Sequence, residues 1–98
     1  MTYTINKNGS TLEIALTGRL DTVTAPDLEK ALTPIPENID TLVYDLGKLE
    51  YISSAGLRVI LRTHRSMRMG GKTKVLNANP VVRQVFSVTG FDDIVEFE

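Results

Sequence analysis

The sequence has no cysteine, no tryptophan, a single histidine and almost no net charge, −1 over 98 residues. The absence of cysteine excludes disulfides, thiolate metal sites and thiol catalysis. A near-neutral chain generates no overall field that attracts nucleic acid or an anionic membrane, so we expect no direct nucleic-acid partner. The histidine, His64, has no second histidine to work with, and we expect it to pack at the boundary of the core rather than to catalyse.

Long hydrophobic runs are also missing. The longest runs of consecutive apolar residues have three members, as at residues 59–61, whereas a membrane-spanning helix needs about 20. Residues 1–10 contain neither the basic segment nor the apolar core of a signal peptide. Apolar residues make up 42% and charged residues 23%, as in ordinary globular domains. The chain is therefore expected to form one domain over residues 1–98, in the cytoplasm and without a membrane span.

Strand and helix patterns alternate along the chain. A β-hairpin is predicted over residues 2–18, because apolar residues alternate on both sides of a strong turn signal at Asn8-Gly9. The helices predicted after it lie at 24–32, with Thr24 in a capping box, at 54–69, and between the cap Asn79 and Gly90, with Val81, Val85 and Phe86 buried. The strands predicted between and after them lie at 41–46, 72–78 and 93–97. This order predicts an α/β fold: a mostly parallel sheet of about five strands with an opening β-hairpin and about three helices.

The predicted parallel strands would place the loops that follow them at one edge of the sheet. Those loops contain Asp21-Thr22, Ser53-Ser54 and residues 77–79. Open α/β sheets bind ligands at the carboxyl ends of their strands. We therefore expect these three segments to converge and to form the functional site.

Two serines stand at the predicted start of the longest helix, after a link predicted to span residues 47–53. A serine in this position is usually an N-cap, whose oxygen accepts a backbone N–H of the first turn. A functional interpretation stands beside it: a phosphoserine there gains from the positive end of the helix and from Arg58, one turn further on. Arg58 also begins a basic stripe with Arg62 and Arg65, which is either a solvated helix face or a docking surface for an acidic partner.

Three stretches resemble the STAS domain of bacterial anti-sigma-factor antagonists over nearly the whole chain: LTGRLDTVTAPDLEKAL, LVYDLGKLEYISSAGLRVIL and VVRQVFSVTGFDDIVEF. In that family the serine two residues before the motif glycine is phosphorylated by the anti-sigma factor, which is itself an ATP-dependent serine kinase. The motif glycine is Gly56 here, so the resemblance assigns the acceptor to Ser54. The unmodified antagonist binds the anti-sigma factor and frees the sigma factor, phosphorylation releases the antagonist, and a serine phosphatase resets it.

The resemblance also implies a partner-binding surface. A loop aspartate of the family matches Asp21, and the residues implied beside it are Thr22, Ser53, Ser54, Ala55, Gly56 and Arg58. The expected function is regulation of transcription by partner switching. Neither an enzymatic activity of the chain nor a cofactor is expected.

One departure from the family leaves the modified serine open. The residue before the acceptor is often aspartate in the family and is Ser53 here, so Ser53 is a second, less favoured acceptor. Other STAS domains suggest different functions, as a small-molecule or nucleotide-binding module or as an accessory subunit of a stress-sensing or lipid-transport complex. The sequence contains neither a P-loop nor a G-x-G-x-x-G motif, the usual signatures of a phosphate-binding backbone.

Overall fold

The computed structural model describes residues 1–67 and 70–98. The elements in this part of the chain are β1 (Thr2–Asn8), β2 (Thr11–Leu20), α1 (Ala25–Ala31), β3 (Thr41–Ile52), α2 (Ser54–Ser66), β4 (Lys72–Leu76), α3 (Pro80–Val88), a 3₁₀ turn (Phe91–Asp93) and β5 (Glu96–Phe97). Among these described residues, no helix is long and apolar enough to cross a membrane.

The strands form one sheet in the order β1-β2-β3-β4-β5. β1 runs antiparallel to β2, and each of the other neighbouring pairs is parallel. The prediction of a mostly parallel α/β sheet with an opening hairpin is therefore confirmed. Because β2, β3 and β4 point the same way, their carboxyl ends lie toward one edge of the sheet.

The core lies between the helices and one face of the sheet. Tyr44, Val75 and Phe97 are neighbours across β3, β4 and β5, so their side chains share that face. Thr63 of α2 forms a hydrogen bond with Tyr44, and Phe86 of α3 meets Phe97 edge to face, with ring centroids 5.3 Å apart. Helix α1 packs beside α2. The helices thus cover one face of the sheet and leave the other open.

The link predicted at residues 47–53 is wrong, because β3 continues to Ile52. Its pairing with β2 continues as well, with Leu20 beside Ile52, through two register shifts. The shifts change the spacing of buried residues from two to three, so that Leu46, Leu49 and Ile52 are all buried. A strand whose buried residues are three apart does not show the alternation of apolar and polar residues by which strands are predicted. Because β3 continues to Ile52, the start of α2 lies directly at the end of the sheet.

Helix α2 is shorter than predicted, because it ends at Ser66 and Met67 is already extended, with φ −72° and ψ 165°. The predicted last residues, 68 and 69, lie outside the described residues. Ser66 Oγ donates a hydrogen bond to the carbonyl of Thr63 at 2.8 Å, and the side chain of Met67 is buried. A local side-chain bond and a buried apolar anchor therefore end the helix before the glycines at 70 and 71.

Helix α3 buries Val82 and Phe86, one turn apart, and leaves Val81 56% exposed. The prediction that Val81 is buried is therefore wrong, whereas Val85 is half-buried and Phe86 fully buried. The predicted cap is confirmed, because Asn79 Oδ1 accepts the backbone N–H of Val82 at 2.8 Å. This bond fixes the first turn so that Val82 faces the sheet.

The last two strands are also shorter than predicted. β4 ends at Leu76 because Asn77 adopts a left-handed conformation, with φ 59°. β5 begins only at Glu96, because a 3₁₀ turn over Phe91–Asp93 takes up the residues before it. Both differences come from backbone turns rather than from the hydrophobic pattern.

The hydroxyl of Tyr44 is buried and satisfied. Tyr44 Oη lies 2.7 Å from Thr63 Oγ1, and the Thr63 hydroxyl donates to the carbonyl of Ile60 at 2.9 Å, so Tyr44 is the donor of the pair. Burial raises the pKa of Tyr44 well above its usual range. The Tyr44 ring and its hydrogen bond therefore tie β3 to α2 inside the core.

We expect Tyr44→Phe to lower the free energy of unfolding by about 1 kcal/mol, because one buried hydrogen bond is lost while the ring remains. Urea unfolding measures this difference. Tyr3→Phe is the matched control, since Tyr3 is 40% exposed and its change is expected to stay within about 0.5 kcal/mol. Equal stability of Tyr44→Phe and the wild type would contradict the assigned bond.

Candidate functional site

The two serines at the start of α2 have different environments. Ser53 is the N-cap: its Oγ accepts the backbone N–H of Gly56 at 3.4 Å, and it is half-buried. Ser54 is the first helical residue and is exposed. Among the described residues, the Ser54 hydroxyl has no hydrogen-bond partner. Ser53 is therefore the helix cap, and Ser54 presents a free hydroxyl.

The loop between β2 and α1 is held by the carboxylate of Asp21. Asp21 Oδ1 accepts the backbone N–H groups of Val23 and Thr24 at 3.0 and 3.1 Å. The Thr24 hydroxyl lies 3.2 Å from the same oxygen and 2.9 Å from the carbonyl of Arg19. These bonds, first among them that from the Thr24 backbone, hold the pKa of Asp21 below its usual range. The predicted capping box is wrong, because the Thr24 side chain makes no cap bond to α1.

The loop after β2 and the start of α2 lie side by side. The backbone N–H of Ser53 donates to the carbonyl of Leu20 at 2.9 Å, which places Asp21 next to the serine pair. The third predicted segment does not join them. Asn79 Nδ2 donates to the carbonyl of Leu49 at 3.1 Å, and Asn77 Nδ2 to Asp45 Oδ1 at 3.3 Å. Because β3 is much longer than β4, residues 77–79 meet β3 along its length rather than at its end.

Gly56 lies under the helix start and is buried. A Cβ atom there would lie 2.7 Å from Leu20 Cγ and 2.9 Å from Ile52 Cγ1, closer than side chains tolerate. Glycine is required at this position because the backbone of α2 rests directly on the ends of β2 and β3. Gly56 therefore sets the position of Ser54 from below instead of forming part of the exposed surface.

The remaining predicted residues surround Ser54. Thr22 and Arg58 are exposed, whereas Asp21 and Ala55 are half-buried. Arg58 lies one turn after Ser54, the spacing at which side chains meet on one helix face, and it forms no ion pair among the described residues. Arg62, next in the basic stripe, pairs with Glu29 of α1. Among the described residues, the stripe thus contains one tethered arginine, Arg62, and two that form no ion pair, Arg58 and Arg65.

Sequence reasoning missed two features of this surface. Val23 is 83% exposed, an apolar side chain at the tip of the Asp21 loop. Arg19 stacks on the ring of Tyr51 at 4.6 Å and lies 3.8 Å from Asp21 Oδ2. The only signal for Val23 was its place outside the periodic pattern, between two threonines of a loop. The stacking depends on the shifted register of β2 and β3 and has no local signal.

We call the exposed surface formed by Thr22, Val23, Ser54 and Arg58, with Asp21, Ser53 and Ala55 at its base, the Ser54 face. It offers a free hydroxyl, an apolar tip and a cation. His64 lies in the last turn of α2, with Nδ1 2.7 Å from Thr73 Oγ1, so it is no base for Ser54. Within residues 1–67 and 70–98, no three acidic or histidine side chains form a metal-binding group. The Ser54 face is suited to docking and to modification of its hydroxyl.

The structure predicts a pH-dependent role for Asp21 in stability. A carboxyl whose pKa is lowered by folding stabilises the protein above its unfolded pKa, near 3.9, and loses this effect as the pH falls through the folded value. We therefore expect Asp21→Asn to lower the melting temperature at pH 7, and the difference from the wild type to shrink below about pH 4. Thermal denaturation from neutral to acidic pH tests this, with Glu13→Gln, an exposed carboxylate on β2, as the control. A difference that stays constant across this range would contradict the assignment.

Comparison with known proteins identifies the class that this fold and site define. The sequence profile of the STAS domain family matches residues 2–98. The chain therefore belongs to the STAS domain family, as its motifs predicted.

Several of the similar proteins are named anti-sigma factor antagonists. BtrV of Bordetella bronchiseptica is 37% identical over 93 residues, which cover 93% of this chain and 80% of the relative. An anti-sigma factor antagonist from Mycobacterium paratuberculosis has a similar structure, with a TM-score of 0.85 and 26% identity over 98% of this chain and 83% of that one. Unphosphorylated SpoIIAA, an anti-sigma factor antagonist, matches with a TM-score of 0.85 and 22% identity, over 99% and 88% of the two chains. Phosphorylated SpoIIAA of Bacillus matches with a TM-score of 0.76 and 21% identity, over 99% and 91%.

Proposed function

We propose that this chain binds a cognate anti-sigma factor through the Ser54 face and that phosphorylation of Ser54 releases it. The observation that carries the proposal is the exposed, unbonded hydroxyl of Ser54 at the start of α2. By binding the anti-sigma factor in the cytoplasm, the unmodified chain would free a sigma factor for transcription. The anti-sigma factor would act as the ATP-dependent serine kinase, and a serine phosphatase would restore the binding form.

Ser54 is a better acceptor than Ser53 for two physical reasons. The Ser53 hydroxyl is half-buried and accepts the N–H of Gly56, so a kinase would have to break the cap to reach it. Loss of an N-cap costs about 0.5–2 kcal/mol. Ser54 is exposed and needs no such rearrangement. The proposal therefore places the phosphate on Ser54 and leaves Ser53 as the cap.

The switch needs only local chemistry. A phosphate adds about −1.5 to −2 charges and three acceptor oxygens at pH 7. Ser54 lies between Ser53 and Ala55, both small, so a partner surface can approach the hydroxyl closely. A phosphate in such a contact adds bulk and a charge that must be desolvated. A penalty of about 3 kcal/mol weakens binding more than a hundredfold.

Arg58 has a role in the released form. It is exposed, unpaired among the described residues and one turn from Ser54. A phosphate on Ser54 would be satisfied by the Arg58 guanidinium and by the N–H groups of the helix start. The phosphorylated chain would then be stable by itself without a change of fold. The two forms of SpoIIAA, which share this fold, are consistent with such a switch.

Phosphosite mapping tests the assignment. The wild type, Ser53→Ala and Ser54→Ala are incubated with ATP and the anti-sigma factor of the same organism, and the peptides are analysed by mass spectrometry. We expect one phosphate on Ser54 in the wild type and in Ser53→Ala, and none in Ser54→Ala. Phosphate on Ser53 in the wild type would overturn the choice of acceptor. Saturable nucleotide binding by the isolated chain, or capture of a stress-sensing or lipid-transport subunit instead, would favour the alternative functions.

A further inference from the structure

The two edges of the sheet differ in what they expose. β5, at one edge, has only two residues, Glu96–Phe97. β1, at the other edge, has seven residues, Thr2–Asn8, and pairs with β2 in continuous register along its whole length. An edge strand presents a row of unpaired backbone N–H and C=O groups, which proteins normally protect by shortness, proline, bulges or charge. β1 is long and regular and therefore open to pairing with another strand.

The side chains of β1 add little protection. The strand has neither proline nor glycine and carries a single charge, Lys7, near its end. Tyr3 is 40% exposed and Ile5 is half-buried, so an apolar stripe runs along this edge. Because alternate residues share a face, Tyr3, Ile5 and Lys7 lie on the same side of the strand. The edge therefore offers backbone groups, two apolar side chains and one cation.

We propose that β1 pairs antiparallel with β1 of a second copy of this chain, about a two-fold axis at Ile5. Ile5 is the midpoint of Thr2–Asn8, so this register is the one that pairs all seven residues of both strands. Thr2 then faces Asn8 of the second copy, Tyr3 faces Lys7, Thr4 faces Asn6, and Ile5 faces Ile5. The sheet continues across the axis into the second copy.

The side chains of β1 are complementary in this register. Each Lys7 lies opposite an aromatic ring instead of another lysine, which permits cation–π contact between Lys7 and Tyr3. The two Ile5 side chains meet on the axis, and Thr4 meets Asn6 with groups that hydrogen bond. Moving the axis by one residue, to Asn6, would place Lys7 opposite Ile5. The charge and the apolar groups thus favour the centred register.

The dimer is independent of the proposed switch. β1 contributes no residue to the Ser54 face, and its described strand neighbour is β2. A contact through one strand is small, and small interfaces are typical of weak association. We therefore expect a dimer that forms with rising concentration and can carry two Ser54 faces.

Analytical ultracentrifugation of the full chain tests the dimer. Between about 10 µM and about 1 mM, the weight-average mass of the wild type should rise from 10.8 kDa toward twice that value. Tyr3→Lys places like charges opposite each other and should weaken the dimer at least about tenfold. Tyr3→Lys combined with Lys7→Glu restores opposite charges across the axis and should return the affinity to within about threefold of the wild type.

The double variant with Tyr3→Lys and Lys7→Glu distinguishes a loss of strand pairing between copies from a loss of folding within one copy. Residues 3 and 7 of one strand are about 13 Å apart, so they cannot compensate each other within one copy. Val81→Lys, at an exposed apolar site on α3, is the control and should leave the dimer unchanged. A monomeric wild type across the range, a dimer unaffected by Tyr3→Lys, or a failure of the double variant to restore it would each overturn the proposal. Binding of the anti-sigma factor by Tyr3→Lys reports on the proposed function separately.

Discussion

Ser54→Asp weakens binding to the cognate anti-sigma factor at least a hundredfold, whereas Ser54→Ala binds within about threefold of the wild type; these are the results that we expect. The aspartate brings a carboxylate to the centre of the Ser54 face, where contact with the partner would remove its water. The alanine removes a hydroxyl that is exposed and unbonded in the described part of the free chain. Isothermal titration calorimetry with the purified anti-sigma factor measures both affinities.

Ser53→Ala is the matched control for this experiment. It removes a neighbouring hydroxyl that serves as the cap of α2, so we expect a loss of stability of about 1 kcal/mol and a much smaller loss of affinity than for Ser54→Asp. Arg58→Ala, on the same face, should weaken binding only modestly, because exposed charges contribute little to affinity. Equal binding by Ser54→Ala and Ser54→Asp would contradict the switch.

The second large effect concerns Gly56. We expect Gly56→Ala to lower the free energy of unfolding by about 2 kcal/mol, even though alanine is intrinsically better than glycine in a helix by about 1 kcal/mol. The added methyl would lie 2.7 Å from Leu20 Cγ and 2.9 Å from Ile52 Cγ1, so the start of α2 must move away from the sheet. Urea unfolding measures the loss, and reduced partner binding should accompany it because Ser54 moves with the helix.

A double-mutant cycle shows whether the clash is the cause. Leu20→Ala removes two of the three nearest atoms that the new methyl would meet and leaves Ile52 Cγ1 at 2.9 Å, so Gly56→Ala should cost less in that background. The interaction free energy between the two sites should then be about 1–2 kcal/mol. Additive effects of the two substitutions, or a Gly56→Ala variant as stable as the wild type, would contradict the packing argument.

The order of elements could be predicted from local signals. The Asn8-Gly9 signal predicted the opening hairpin, although its two turn residues are Gly9 and Ser10, because Asn8 still pairs with Thr11. The Asn79 cap predicted the start of α3. The extension of β3 could not be predicted, because Leu46, Leu49 and Ile52 have the spacing of three that two register shifts against β2 produce. Where the alternation of buried and exposed residues in a strand is broken, the extent of the strand depends on its pairing with the neighbouring strand. A single sequence does not show that pairing.

The features of the site that depend on residues close in sequence could be predicted, whereas those that depend on residues distant in sequence could not. The pair of serines before an amphipathic helix predicted a cap and a hydroxyl at the helix start, and the structure separates them into Ser53 and Ser54. The role of Thr24 was mispredicted, because its hydroxyl bonds back to the Asp21 loop instead of capping α1. The tight contact under Gly56 involves Leu20, which is distant in sequence, and only the folded chain reveals it.

One comparison tests the central claim most directly: the affinity of the anti-sigma factor for this chain with and without a phosphate on Ser54, measured by calorimetry under the same conditions. We expect the unmodified chain to bind and the phosphorylated chain to bind at least about a hundredfold more weakly, with the fold of both unchanged by circular dichroism. Equal affinities for the two forms would show that Ser54 is not the switch.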